Sequence, residues 1–136
     1  MRRLVVAAAL LLVAGCGVRP TEPIGGSPAT GALVFLVRNN SVAPVLRPTR
    51  HQTDPSAALR LLAEGPSPAE QADGYRSEVP YEADPMSIQD STVTLPVDVA
   101  TLSTVAVTQI VCTAAVPGPV TLDGGGQTRG PVSCPF

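Results

Sequence analysis

Hydrophobic positions along this chain fall into two regimes. The first is a single unbroken run, Leu4 to Val13, with no polar residue inside it. From about Ala32 onward the apolar residues come instead in short groups separated by Pro, Gly, Asn, Ser and Asp, the pattern of short strands and helices joined by turns. Ala32 to Arg38 (A-L-V-F-L-V-R) shows no polar alternation. It reads as a strand buried on both faces, a short buried helix being the other reading that pattern alone allows. Asn39-Asn40-Ser41 has turn chemistry, and Val42 to Arg47 completes a hairpin in which Pro44 requires an edge position or a bulge.

The next element carries stronger punctuation. Asp54 is a helix cap, Pro55 fits the first turn, and Ala58, Leu59, Leu61 and Leu62 form one apolar stripe. Gly65-Pro66 is a stop, so the spacing predicts a helix over 55–64. Ser67 to Gln71 reads as one short helical turn and Gly74 to Pro80 as extended chain. Met86 to Asp90 and Thr92 to Val97 are strand candidates around an Asp90-Ser91 turn. A second helix is expected over Leu102 to Ala115, capped by Thr101 or Ser103, with Val107, Ile110, Val111, Ala114 and Ala115 on one buried face. Pro119 to Leu122 is a last strand candidate, and the tail from Gly124 reads as loop.

The N-terminal run changes the picture of where the domain sits. Arg2 and Arg3 precede the apolar stretch, and small Ala14 and Gly15 follow it, directly before Cys16. This is the layout of a secretory signal peptide, and ten apolar residues are too few for the roughly 20 of a membrane-spanning helix. Val13-Ala14-Gly15-Cys16 resembles the bacterial lipobox, in which the cysteine receives a lipid and becomes the first residue of the mature chain. The alternative is an ordinary secretory signal with a cysteine near its cleavage site. The lipobox reading divides the chain into a signal peptide over 1–15, a Gly-, Pro-, Ser- and Thr-rich tether over 16–31 and one folded domain over 32–136. It places the protein on the extracytoplasmic face of the cell membrane, held through lipid on Cys16.

Composition removes some classes and adds one constraint. Without Arg2 and Arg3, seven arginines stand against eleven acidic residues. With four aromatics and no basic cluster, nucleic acid is not an expected partner. All basic residues are Arg and none is Lys, a composition typical of GC-rich genomes such as those of actinobacteria. Three cysteines is an odd number for an exported protein. Lipidation of Cys16 leaves Cys112 and Cys134, which either form a disulfide in an oxidising compartment or remain as two buried thiols; the disulfide is the expectation.

Several short motifs follow one another in a recognisable order. Leu61-Leu62-Ala63-Glu64-Gly65-Pro66 closes the first helix, and Ser77-Glu78-Val79-Pro80 follows extended chain. Leu95-Pro96-Val97-Asp98-Val99 reads as a strand, Gln109-Ile110-Val111-Cys112-Thr113 lies in the second helix, and Val120-Thr121-Leu122-Asp123-Gly124 comes after it. Together these resemble the GerMN domain over roughly Ala32 to Gly125. The resemblance implies a compact α+β domain, similar to ring-building domains, with two helices packed on a small mixed β-sheet. It also implies a module without a catalytic site or cofactor. Some proteins with this domain are associated with envelope sensor kinases, but this sequence has room for one module only. Cys112 lies inside the helix motif, which implies a disulfide-bearing subgroup.

Candidate chemistry is sparse. His51 is the single histidine and sits in a polar stretch with no nucleophile-elbow signal. Cys112, Cys134 and His51 match no zinc spacing, so no metal is expected. Gly124-Gly125-Gly126 is followed by no lysine and opens no helix, which makes it a turn rather than a phosphate loop. Glu78, Glu82 and Asp84 form a loose acidic stretch, read as solvated. Gln109, among Val and Ile on a helix, must find hydrogen-bond partners if it is buried, and packing is its expected role. The functional expectation is a non-enzymatic envelope module with a protein partner. A lipoprotein that binds a small molecule or cell-wall ligand is the alternative, and an unusual hydrolase a remote third.

Overall fold

The computed structural model describes residue 17, residues 25–26 and residues 30–136. Cys16, the preceding apolar run and most of the expected tether lie outside the described residues. The chain forms strands β1 (Gly31–Arg38) and β2 (Ser41–Pro48), helices α1 (Pro55–Glu64) and α2 (Pro68–Ala72), and a 3₁₀ turn at Tyr81–Ala83. Strands β3 (Ser87–Gln89) and β4 (Thr92–Thr94), a second 3₁₀ turn at Val99–Thr101, helix α3 (Thr104–Ala114) and strands β5 (Val120–Gly124) and β6 (Gln127–Val132) complete it. The fold is α+β. Its strands divide into a separate β1–β2 hairpin and a four-stranded mixed sheet, ordered β3-β4-β5-β6, in which β4 and β5 are parallel.

The hairpin turns on Asn39 and Asn40, with φ of 51° and 60°. Two consecutive positive φ values make the turn whose twist matches that of the strands, and Asn tolerates them. The backbone groups of Phe35 and Val37 bond away from β2, to α3 and to Arg76. Their cross-strand neighbours Pro44 and Val42 therefore sit in non-hydrogen-bonded pairs, as do Leu46 and Pro48 further along the register. Both prolines thus occupy positions whose N–H would face away from β1, so the ladder loses no bond to them. Alternation places Ala32, Val34 and Leu36 in the main core and turns Leu33, Phe35 and Val37 to the opposite face. The burial expected on both faces fails at Leu33, which is 44% exposed.

Helix α1 has the predicted limits. Asp54 accepts from the Ala57 N–H at 3.0 Å, Pro55 opens the first turn, and Gly65 at φ 81° donates back to the Leu62 carbonyl. Leu59 and Leu62 are fully buried. What the motif did not reveal is Arg47, which reaches across from β2 to the end of this helix. Its guanidinium donates to the Leu61 and Gly65 carbonyls at 3.1 and 2.9 Å and to both carboxylate oxygens of Glu70 at 2.9 and 2.7 Å. Glu70 in turn accepts from the Ser67 N–H while Ser67 Oγ accepts from the Glu70 N–H, a capping box that starts α2. One arginine thus closes the carbonyl end of α1 and the amide end of α2.

The hydrogen bond from Arg47 holds the Glu70 carboxyl below the usual glutamate range, burial works against this, and Ser67 adds to it. A carboxylate whose folded pKa is lowered stabilises the fold above its unfolded pKa, and that contribution disappears as pH falls through the folded value. Arg47→Met is therefore expected to lower stability by about 1–3 kcal/mol at neutral pH. It should also flatten the loss of stability between about pH 5 and pH 3. Urea unfolding across that interval measures both effects; an unchanged acid limb would show that the pair does not set it.

Three expectations are corrected. Leu95 to Val99 is not a strand: β4 ends at Thr94, Pro96 has no N–H to pair, and Asp98 accepts from the Ala100 N–H at 2.9 Å to cap the second 3₁₀ turn. The tail after Gly124 is not loop but β6, antiparallel to β5 across a Gly125-Gly126 turn with φ of 65° and 74°. A Cβ on Gly125 would lie 2.5 Å from Asp98 Cα, so the sheet turn packs directly on the 3₁₀ capping loop. Finally, α3 is not one-faced. It runs from Thr104, with Ser103 as cap, and is buried at Ala106, Val107 and every position from Gln109 to Ala114, whereas Ala115 is exposed. It packs on α1 and on the open side of β1.

Candidate functional site

The polar centre of the molecule lies along the edge of β1 that β2 leaves open. Gln109 and Thr113 are one helical turn apart on α3, and both are fully buried. Gln109 Nε2 donates to the Phe35 carbonyl at 2.9 Å and to Ser77 Oγ at 3.2 Å, while its Oε1 accepts from the Glu78 N–H at 2.9 Å. The Phe35 N–H donates to Thr113 Oγ1 at 3.1 Å. Two residues on, Val37 exchanges paired backbone bonds with Arg76 at 2.8 and 2.9 Å. Two helix side chains and one bridging residue therefore do the work of a third strand. This explains why the hairpin stays two-stranded with its inner edge satisfied.

The Ser77-Glu78-Val79-Pro80 segment docks at the same place. Ser77 Oγ accepts from the Val79 N–H, and the Glu78 carboxylate accepts from Arg76 at 2.8 Å and from Ser103 Oγ at 2.9 Å. These bonds, Arg76 first and Ser103 second, hold the Glu78 carboxyl below the usual range. Ser103 also caps α3, so the anion sits at the positive end of that helix. The S-E-V-P and Q-x-V-x-T motifs thus meet, and every polar side chain they contribute has an internal partner.

Cys112 and Cys134 are joined by a disulfide with a Cα–Cα distance of 4.9 Å. The bond fastens the segment beyond β6 to α3 and brings the Phe136 ring against Phe35, with centroids 6.0 Å apart and planes inclined by 22°. Phe136 lies on the hairpin's outer face, where Leu33, Phe35, Val37, Val42, Pro44, Leu46 and Pro48 are all apolar. Leu33 and Leu46 stand directly opposite each other and are 44% and 42% exposed.

The remaining candidates do not converge. His51 is exposed, and its backbone carbonyl accepts from the Thr49 hydroxyl. Both described cysteines are tied to each other rather than to His51. Among the described residues no three His, Cys, Asp or Glu side chains come together in a way that would hold a metal ion. Asp54, Ser56, Ala57, Arg60, Asp84, Pro85 and Met86 line an open cleft of about 310 Å³ at the start of α1. Asp54 is already engaged there as the helix cap. Among the described residues no helix is long and apolar enough to cross a membrane.

No protein-family model and no curated protein matches the chain. Among solved structures it is similar to the tandem GerMN domains of the sporulation protein GerM from Bacillus subtilis, with 22% sequence identity and a TM-score of 0.48. The match covers 79% of this chain and 43% of that one, so the chain spans less than half the length of that structure.

Proposed function

We propose that this chain is a GerMN-like, non-catalytic module, held by lipid on Cys16 at the extracytoplasmic face of the cell membrane, where it takes part in envelope assembly with a protein partner. The observation that supports the non-catalytic part of this reading is the use made of the polar motif residues. Gln109, Thr113, Ser77 and Glu78 hold the fold together, and none is directed toward a ligand. An enzyme needs a nucleophile and base within reach of substrate, and a ligand binder needs a concave apolar site with a few convergent polar groups. The cleft beside α1 is open and its acidic cap is already bonded. What remains for recognition is surface shape and charge.

Two measurements test the reading. Cys16→Ser is expected to move the protein from the membrane fraction to the soluble fraction or to leave it unprocessed. A variant that is still cut and still sediments with membranes would end the lipid-anchor assignment. Crosslinking in the native envelope followed by mass spectrometry should return a reproducible partner protein, and repeated failure to do so would count against the assembly role.

A further inference from the structure

We propose that the outer face of the β1–β2 hairpin, extended by Phe136, lies against an anionic lipid surface. This inference rests on the anchored reading above for its setting. The face carries no polar side chain: its positions are Leu33, Phe35 and Val37 on β1 and Val42, Pro44, Leu46 and Pro48 on β2. Leu33, Pro44, Leu46 and Pro48 are exposed, and Phe136, seated on Phe35, is 72% exposed. Phe35 and Val37 are buried, so the exposed apolar surface is that of Leu33, Pro44, Leu46, Pro48 and Phe136, on one side of a two-stranded element whose other side is core.

Charge and chain position select the occupant. The segment from Gly31 to Thr53 carries Arg38, Arg47 and Arg50 and no acidic residue, whereas ten of the eleven acidic residues follow from Asp54 onward. Arg47 is paired with Glu70 on the inner side. Arg38, at the turn end, shares the face of Ala32, Val34 and Leu36 and lies 5.1 Å over the Tyr75 ring, whereas Arg50 is exposed at the other end, beside the start of β1. An apolar face with an exposed cation at the end where β1 begins suits a surface that offers hydrocarbon bordered by anionic headgroups. About 15 residues separate Cys16 from β1, and a chain of that length spans at most about 50 Å. β1 is the first element after Cys16, so the anchor joins the domain at the hairpin. Tethering raises the local lipid concentration enough for a face of this modest size to dock.

The chain contains no tryptophan, so a single introduced one reports its own surroundings. Protein carrying Leu46→Trp, taken from producing cells as processed there, would be reconstituted with phosphatidylglycerol vesicles whose acyl chains are brominated. Phosphatidylcholine vesicles serve as the comparison, and Tyr81→Trp, at another exposed site, as the positional control. The expected result is a blue shift and strong quenching at position 46 in phosphatidylglycerol, weak quenching in phosphatidylcholine, and little at position 81. Arg50→Gln should lower the ratio of docked to undocked hairpin about fivefold, read as weaker quenching at position 46 in phosphatidylglycerol. Leu33→Trp, on the opposing strand, should give the same reading by an independent change.

Equal quenching at positions 46 and 81, or none at 46 and 33, would overturn the proposal. So would a blue shift that depends on protein concentration without vesicles, since a second copy would then cover the face. The anchor is tested by fractionation of Cys16→Ser and the docking by the depth difference, and either fails without the other.

Discussion

Gln109→Leu is expected to be the most damaging single substitution in the folded part. Leucine fills much of the glutamine's volume, so the loss is not one of packing. It strands the Phe35 carbonyl and the Glu78 N–H, which have the Gln109 amide as partner. An unpaired buried polar group costs about 1–3 kcal/mol, so the expected destabilisation is about 3–5 kcal/mol. That is a large share of the roughly 5–15 kcal/mol that holds a small domain folded. Thr113→Val removes only the acceptor for the Phe35 N–H and should cost about 1–2 kcal/mol. Gln109→Glu gives a sharper signature. It keeps an acceptor for Glu78 but sets a buried carboxylate against a carbonyl. Burial raises the pKa of such a carboxyl, so this variant should gain stability relative to wild type as pH falls, as the protonated acid donates to Phe35. Urea midpoints for the three variants decide the matter: Gln109→Leu within about 0.5 kcal/mol of wild type would sink the account of the clamped edge.

Breaking the Cys112–Cys134 bond comes next in size. The residues are 22 apart in sequence, and closing a loop of that length is worth about 3 kcal/mol in the chain-entropy model. Cys134→Ser should lower the urea midpoint accordingly, and reductant should lower the midpoint of wild type but not that of the variant. It should also free the segment after β6, so that Phe136 leaves Phe35 and limited proteolysis trims the tail. Two reactive thiols in the nonreduced protein, or a wild-type midpoint indifferent to reductant, would contradict this.

Legibility in the sequence followed the range of the interactions. The hairpin and α1 were readable because their signals are local: paired asparagines, an Asp-Pro start, a Gly-Pro stop. The cysteine pair was readable by counting. Arg47 was not, because its meaning depends on Glu70, 23 residues away, and on carbonyls that exist only once α1 has formed. Gln109 was flagged as a residue that must find partners, but its partner Phe35 is 74 residues distant. Strand β6 was missed because Q-T-R-G-P-V is polar and broken by Gly130 and Pro131, as an outer strand with one solvated side can be. The burial of α3 beyond one face was not legible, because Gln109, Cys112 and Thr113 gain their meaning only from contacts to β1 and to the disulfide.

The two prolines of β2 have a consequence beyond the hairpin itself. Outward-pointing donors along a strand normally recur every second residue, about 7 Å apart. Here positions 44 and 48 contribute none, so only Val42 and Leu46 offer an N–H to the outside, about 13 Å apart. A neighbouring strand laid alongside would meet a ladder with alternate rungs removed. Pro44 and Pro48 thus make the open edge of this hairpin a poor template for a second copy of the chain.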